Sequence, residues 1–289
     1  MGKKQKYCDP ADPLDAPCGD HWDHVAFDPE HKLVVTVVSG KRTRQNAHRL
    51  VRDFHRRTGG RLMRLMTRDE YTPYREAILE VYGETYPRRR KRRIGRKPKP
   101  GRRPPAGLLY ATVPKHRRRG RVVRVSTHII YGSPKALQQA LAASACSHTV
   151  NTAFVERYNG TDRHQNARKV RRSYRFSKDW DLHQAATYFS AYSYNFCWPV
   201  RTLRQQAADG TWGPPYPCDV CALGRPCLDP SRVDYSARRR AFKYIGTRSG
   251  YTVQSQPVMH TIFPVVREQV VHLPLERCVT NHVLQHGLA

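Results

Sequence analysis

The sequence predicts one α/β domain in which helices flank a mixed sheet, followed by an irregular tail. Apolar, β-branched segments alternate with segments of helical periodicity over residues 1–200, which is the pattern of such a domain. A basic insert with five prolines and no acidic residue interrupts the pattern at residues 88–119. The pattern decays after residue 200, so we expect residues 201–289 to form a poorly defined, partly ordered tail.

The first half of the domain is predicted to contain a hairpin, a helix, a strand and a second helix. Residues 21–39 hold two apolar runs around Asp28-Pro29-Glu30-His31, which favours a turn, and therefore predict a β-hairpin. Residues 41–60 carry apolar side chains at helical spacing and end in two glycines, which predicts a helix. Residues 61–71 predict a short strand, and residues 72–83 predict a helix with proline in its first turn.

The second half is predicted to contain two strands and three helices. Residues 107–113, in the middle of the basic insert, are apolar enough for a strand, and residues 121–132 predict another. Residues 133–145 predict a helix with a serine cap and a proline at its first position. Residues 151–180 predict a further helix, and residues 181–199 carry aromatic side chains at helical spacing that we expect to pack on the sheet.

Net charge is the strongest global signal. Lysine and arginine number 52 against 23 aspartates and glutamates, which gives a net charge of +29 and a pI of about 10.3. Such a field attracts nucleic acid, anionic membranes or acidic proteins. No run of 18 apolar residues is present, and the N-terminus lacks the apolar segment of a signal peptide. We therefore expect a cytoplasmic protein without a membrane-spanning segment.

The cysteines are scattered, and without a secretion signal they favour free thiols over disulfides. Cys218, Cys221 and Cys227 lie close together in the sequence, but a structural zinc ion needs four ligands. His282 or His286 would have to supply the fourth. A zinc-stabilised basic scaffold is therefore a minor hypothesis.

A single glutamate, Glu156, lies among many arginines in the helix predicted over residues 151–180. Helical spacing places Glu156, Asn159 and Arg163 on one face, while Gly160 favours a break or a kink. A carboxylate among cations suits a group that stays ionised and holds a metal ion near a polyanion. The alternative is that Glu156 forms ordinary surface ion pairs with neighbouring arginines.

Three motifs follow one another in this part of the chain. They are Val155-Glu156-Arg157-Tyr158-Asn159, an Asn/Arg-rich turn at residues 166–172, and Phe176-Ser177-Lys178. Further stretches lie upstream: GKKQK at 2–6, GDHWDHVAFDPEHKLVVTVVSGKRT at 19–43 and LMTRDEYTPY at 65–74. In this order they resemble the catalytic region of bacterial insertion-sequence transposases with a DDE site, of the group typified by insertion sequence one. The similarity covers roughly residues 2–200.

The resemblance implies a ribonuclease H-like fold and DNA strand cleavage and transfer during transposition. In this family, carboxylates from separate strands and a late helix hold two divalent ions, usually Mg²⁺, and hard oxygen ligands also suit Mn²⁺. The resemblance assigns the second acidic position to Asp69 and the third to Glu156, both as catalytic and metal-binding residues. Glu70 is adjacent, but the motif places the acid at Asp69. The alternative for Asp69 is a turn residue or a helix N-cap.

The resemblance also implies contacts to DNA, both at the element ends and at the target. The candidate DNA-binding residues are Arg157, Asn159, Arg163, Arg168, Arg88, Arg89 and Arg90. The alternative for these side chains is a plain solvated surface. The first half of the basic insert cannot bury a core, so we expect it to be mobile until it meets an anion. Because family members act as multimers on paired ends, the resemblance implies a homo-oligomer.

The chain departs from the family pattern at its first acidic ligand. That aspartate is expected on an opening strand before GKKQK, where this chain has only Met1. Asp20, Asp23 and Asp28 lie nearby, but none falls at the family's position, and Asp28 sits in a turn beside proline. Loss of one carboxylate leaves too little negative charge to hold two ions. Loss of the opening strand is expected to leave backbone groups unpaired in the centre of the sheet.

Two interpretations fit this departure. The chain is either a truncated or degenerate copy, or the downstream product of an element whose full enzyme arises by frameshifting. The tail is a second departure, since family members continue with a short Thr-Pro-Ala segment. The predicted function is therefore a DDE-type transposase, active or truncated. The alternative is a non-catalytic, basic DNA-binding remnant of a transposase.

Overall fold

The computed structural model describes residues 5–15, 18–88, 98–170, 174–175, 177, 179–206, 209–213, 216–217 and 281–288. In chain order the helices and strands in these ranges are β1 (Trp22–Asp28), β2 (Leu33–Gly40), α1 (Arg44–Arg57), β3 (Leu65–Arg68), α2 (Pro73–Tyr82), β4 (Glu84–Tyr86), β5 (Gly101–Arg103), β6 (Tyr110–Thr112), β7 (Lys115–Arg118), β8 (Arg121–Val125), β9 (His128–Tyr131), α3 (Pro134–Ala142), α4 (Ala153–Gln165), α5 (Trp180–Cys197) and β10 (Asn281–Leu288). None of the helices in these ranges combines the length and the apolar character needed to cross a bilayer.

The central sheet is mixed and has the strand order β2-β1-β10-β3-β6-β9. β1 and β2 form the predicted antiparallel hairpin. β10 lies between β1 and β3, antiparallel to β1 and parallel to β3, and β3 runs parallel to β6. Two small two-stranded sheets, β4-β5 and β7-β8, lie outside the central sheet. The prediction of a mixed α/β fold with a mixed sheet is confirmed.

Helices pack on both faces of the central sheet because strand β1 supplies apolar side chains to each. Successive side chains of a strand point to opposite faces. Ala26 belongs to a core cluster with Leu50 of α1, whereas Val25 and Phe27 belong to a second cluster with Tyr158 of α4. The rings of Phe27 and Tyr158 stack with their centroids 5.5 Å apart. The helices α1 and α2 thus contribute to one core and α4 and α5 to the other.

Helix α4 corrects the prediction of a helix over residues 151–180 with a break or kink at Gly160. It passes through Gly160 without a break and ends at Gln165, and α5 begins only at Trp180. Asn166 explains the end of α4. Its side-chain oxygen accepts a hydrogen bond from the Arg168 amide at 3.1 Å, and such a local bond competes with continued helix.

The segment 121–132 also differs from its prediction, because it forms two strands instead of one. Up to Val125 the segment pairs with β7, and from His128 it pairs with β6. The change of partner ends the first strand. The Ser126 amide donates a hydrogen bond to the Pro114 carbonyl at 3.1 Å, which closes the base of the β7-β8 hairpin.

The centre of the sheet is filled, contrary to the expectation of unpaired backbone groups there. Residues 281–288 pair with β1 on one side and with β3 on the other, so the backbone groups of both strands find partners. Residues 89–97 of the basic insert, where we expected mobility, lie outside the described residues. The region of Cys218, Cys221 and Cys227, where a zinc site was considered, lies outside them as well.

Candidate active site

The two acidic residues assigned from the sequence lie at one edge of the central sheet. Asp69 directly follows β3, and Lys115 follows β6 after two residues. Because β3 and β6 are parallel neighbours, both residues leave the sheet at the same edge. The Val113 amide donates a hydrogen bond to the Arg68 carbonyl at 2.8 Å and joins the two strand ends. Glu156, in the first turn of α4, pairs with Lys115.

Lys115 connects the two acids. Its ammonium group donates a hydrogen bond to the Glu156 carboxylate. Burial raises the pKa of Asp69, and the positive charges of Arg68, Arg42 and Lys115 offset part of that rise. Lys115 thus bonds one carboxylate and acts electrostatically on the other. Lys115 is therefore the residue that relates Asp69 and Glu156, which are distant in sequence.

Asp69 has the environment of a residue that receives a cation. Its Oδ1 atom is buried and has no hydrogen-bond partner among the residues described. An ionised carboxylate in such a place is unfavourable unless a proton or a cation compensates its charge. The raised pKa of Asp69 expresses this cost. Carboxylate oxygens are ligands that Mg²⁺ and Mn²⁺ prefer, so Asp69 fits the predicted role.

Glu156 is held in place by its own helix. Its carboxylate is half exposed, and the Thr152 hydroxyl, just before α4, donates to Oε1 at 2.9 Å. Lys115 bonds the same oxygen. The N-terminal turn of a helix also favours a negative charge. These contacts fix the Glu156 carboxylate beside Lys115.

The donor set limits which metal site can form here. Among the residues that the structure describes, no three His, Cys, Asp or Glu side chains are grouped so that they could hold a metal ion. Asp69 and Glu156 supply two carboxylates, and Lys115 neutralises one of them. The set therefore suits one divalent ion that displaces Lys115. It is too small for the two ions that the family resemblance implies.

Asp23, one candidate for the missing first acid, is buried in an ion pair with Lys169. It is 4% exposed, lies 2.9 Å from the Lys169 ammonium and accepts a hydrogen bond from Ser39. Burial alone would raise the pKa of Asp23, but Lys169, His183 and Ser39 together hold it well below its ordinary value. Asp23 is thus a permanently ionised structural residue and not a metal ligand.

The other two candidates also stay outside the site. Asp28 accepts hydrogen bonds from the Glu30 amide at 2.9 Å and pairs with the His31 ring at 2.5 Å, which is the turn role considered from the sequence. Asp20 is exposed ahead of β1. The strand β10 at the sheet centre has the sequence NHVLQHGL and brings no carboxylate. The first acidic position therefore has no occupant among the described residues.

The predicted DNA-binding residues of α4 and the following turn are only partly accessible. Arg157 is exposed, and Arg163 and Arg168 are half-buried. Asn159, which helical spacing places on one face with Glu156, is 6% exposed, and its assignment to DNA binding stays a prediction. The helix buries residues spaced by three and four, and Asn159 falls in that stripe. The buried stripe comprises Val155, Tyr158, Asn159 and Asp162.

Of the three candidate DNA-binding arginines in the basic insert, the structure describes one. Arg88 is exposed at the end of the range 18–88. Arg89 and Arg90 lie outside the described residues. Their assignment to DNA binding stays a prediction.

Sequence reasoning missed Lys115 and two arginines beside Asp69. Arg68 is 1% exposed, and its guanidinium lies 4.6 Å from the centroid of the Tyr74 ring. The Arg42 guanidinium lies 4.4 Å from the Tyr71 ring. Of these cations, Arg42 and Lys115 are accessible enough to pair with a phosphate next to the carboxylates, whereas Arg68 is buried. The signal available in the sequence was the tight run of arginine, acid and tyrosine in TRDEYTPY, residues 67–74.

Comparison with known proteins does not assign a family to the chain. No protein-family model matches it, and neither the curated proteins nor the solved structures include a match.

Proposed function

We propose that the protein acts on DNA as a DDE-type transposase, cleaving and joining strands with a divalent metal ion held by Asp69 and Glu156. The observation that carries the proposal is the position of Lys115, which bonds Glu156 and acts on Asp69. This position of Lys115 supports assigning to one site the two residues that the family motifs mark as catalytic acids. Among the described residues, no other two acids are both marked as catalytic by the family motifs and influenced by one lysine.

A ribonuclease H-like fold is part of this proposal. An antiparallel hairpin lies beside parallel strands, one acid follows a strand of the sheet, and the other lies on a late helix. This arrangement agrees with carboxylates that come from a strand and from a helix. The resemblance adds self-association on paired DNA ends, which stays a prediction.

Each residue of the site has a role that follows from its chemistry. Asp69 and Glu156 would ligate Mg²⁺ or Mn²⁺, which when bound supplies charge stabilisation and activation of the attacking oxygen. Thr152 orients Glu156 through its hydroxyl. Arg42 lies at the surface beside Asp69 and is placed to pair with a DNA phosphate. Lys115, once a metal ion displaces it from Glu156, is free to pair with a second DNA phosphate.

A second candidate is a non-catalytic protein that binds DNA by charge. The observation that favours it is the donor set, since only two acids meet at the sheet edge in the described chain and Lys115 occupies one of them. This candidate predicts DNA binding that depends steeply on salt and does not require a metal ion.

The test is a strand cleavage and joining assay with Mg²⁺ on plasmid DNA that carries the sequences bordering the gene. Wild type is expected to cut, and Glu156→Gln should lower the rate by about two orders of magnitude or more, because it removes a metal ligand. The matched control is Glu84→Gln. Glu84 is also half exposed and paired with a cation, Arg103, at 3.1 Å, but it lies on β4.

The control variant should cut at the rate of wild type. Equal rates for Glu156→Gln and wild type would remove the catalytic assignment. Binding of the same DNA in EDTA without any cleavage in Mg²⁺ would favour the second candidate.

A further inference from the structure

The strands β7 and β8 form a two-stranded sheet that extends away from the body of the protein. All residues from 116 to 125 are exposed, including Val123 at 63%. A Cβ atom added at Gly120, in the turn, would meet no atom within 4 Å. We call this hairpin, residues 115–125, the basic ribbon. Its outer part therefore has solvent on all sides.

The turn of the basic ribbon is as narrow as a β-hairpin allows. Arg119 and Gly120 are its two central residues, with φ of 49° and 78°. Positive φ at both positions is typical of a type I′ turn, whose twist matches that of paired strands. The tip thus presents an arginine and no extra loop, so the basic ribbon keeps the width of two strands.

One face of the basic ribbon is entirely basic. Residues paired directly across an antiparallel ladder point to the same face, as do residues two apart along a strand. Arg118 pairs with Arg121, and, across a one-residue register shift in β8, His116 pairs with Arg124. These four residues therefore share a face. No acidic residue occurs between Lys115 and Val125.

We propose that the basic ribbon lies in the major groove of duplex DNA and holds it against the candidate active site. The major groove of B-DNA admits a two-stranded β-ribbon, and arginine pairs with both phosphates and guanine edges there. The major groove of an RNA duplex is too narrow for side chains to read. Duplex DNA is therefore the partner that this shape and charge fit. The inference rests on the proposed function in taking DNA as the substrate.

The base of the basic ribbon links this surface to the chemistry. Lys115, its first residue, bonds Glu156. At about 3.3 Å per residue, the four residues of β7 reach roughly 13 Å outward. A duplex held along this length has its backbone beside the edge where Asp69 and Glu156 lie.

The test compares the DNA affinity of four full-length proteins in metal-free buffer over a range of salt concentrations: wild type, two ribbon variants and a control. The ribbon variant is Arg118→Gln/Arg121→Gln/Arg124→Gln. The matched control, Arg49→Gln/Arg52→Gln/Arg56→Gln, removes the same charge from the exposed side of α1. The probe is a fluorescent DNA duplex of about two helical turns, and binding is followed by anisotropy.

The ribbon variant should lower the slope of log affinity against log salt by about 2 to 3, because each lost phosphate contact removes about 0.9. The control should change the slope by less than about 0.5. Arg119→Asn removes the charge at the tip but keeps the turn, since asparagine tolerates positive φ, and should lower the slope by about 0.9. Circular dichroism and thermal melting check that each variant folds.

Equal slopes for the ribbon variant and the control would overturn the proposal. So would an RNA duplex of the same sequence that binds as tightly as DNA and depends equally on the basic ribbon. Because no divalent metal is present, a failure to detect cleavage leaves this result intact. Conversely, a protein that cuts DNA while its ribbon variant binds and cuts like wild type retains the proposed function and loses the ribbon assignment.

Discussion

Asp69 is an acid whose position costs stability. Burial raises its pKa, so between its unfolded and folded pKa values the folded protein holds more protons than the unfolded chain. Stability contributed by Asp69 is therefore complete below the unfolded pKa and falls as pH rises through the folded pKa. An acid kept at a position that costs stability is a candidate for a functional role.

Replacement of Asp69 by asparagine should therefore raise the melting temperature at neutral pH and flatten the decline of stability above about pH 4. Thermal denaturation over a pH series measures both effects. Asp23→Asn should do the reverse, because the pKa of Asp23 is held low by Lys169 and the charge is needed in the folded state. If Asp69→Asn lowers the melting temperature as Asp23→Asn does, Asp69 is a structural residue.

The residues of the candidate site differ in how visible they are in the sequence. Asp69 and Glu156 were found because each lies in a motif that resembles a family. Lys115 was not, since nothing local distinguishes it from the arginines that follow it. Its role depends on Glu156, which only the fold brings near. Asn159 was grouped with Glu156 from their spacing alone, and its burial together with Val155 and Tyr158 is visible only in the fold.

Among the elements, β1 and α4 are joined by a buried ion cluster. The Lys169 ammonium lies 2.9 Å from Asp23 of β1 and 2.7 Å from Asp162 of α4, and all three side chains are buried. Burial alone would lower the pKa of Lys169, but the two carboxylates raise it. The lysine therefore stays charged. It fixes the helix that carries Glu156 against the sheet.

Lys169→Met should destabilise the protein by about 3 to 5 kcal/mol, because it leaves two buried carboxylates without their counter-ion. Urea denaturation followed by circular dichroism measures the change. The control Lys135→Met alters an exposed lysine of α3 and should change stability by less than about 0.5 kcal/mol. A loss no greater than that of the control would show that the cluster does not join these elements.

Elements with strong local signals were predicted, and elements defined by their partners were not. The helix α1 is capped by Thr43, whose hydroxyl accepts from the Asn46 amide at 3.3 Å, and α3 by Ser133 in the same way. Such caps are visible in sequence. The strand β7 is almost wholly exposed, so its sequence lacks the alternation that marks a strand. The place of β10 depends on pairing with β1 and β3, which no local pattern encodes.

On the scale of the whole molecule, a net charge of +29 surrounds a small acidic site. The charge alone attracts DNA to any part of the surface. The fold selects one part of this surface, because Asp69 and the base of the basic ribbon, which bonds Glu156, follow neighbouring strands of the sheet. The fold class followed from alternating apolar patterns. The meeting of these groups could be predicted only through the family resemblance.

The most direct test of a shared cation site is Mn²⁺ binding, measured by titration calorimetry on the full-length protein and on Asp69→Asn, Glu156→Gln and the double variant. Wild type should bind the ion, and each single substitution should weaken binding by about tenfold or more. The double variant should lose less than the sum of the two free-energy changes, because both residues act on the same ion. Lys115→Met should bind more tightly, since it removes the competing ammonium group. An affinity for Mn²⁺ that either single substitution leaves unchanged would contradict the claim that Asp69 and Glu156 hold one metal ion.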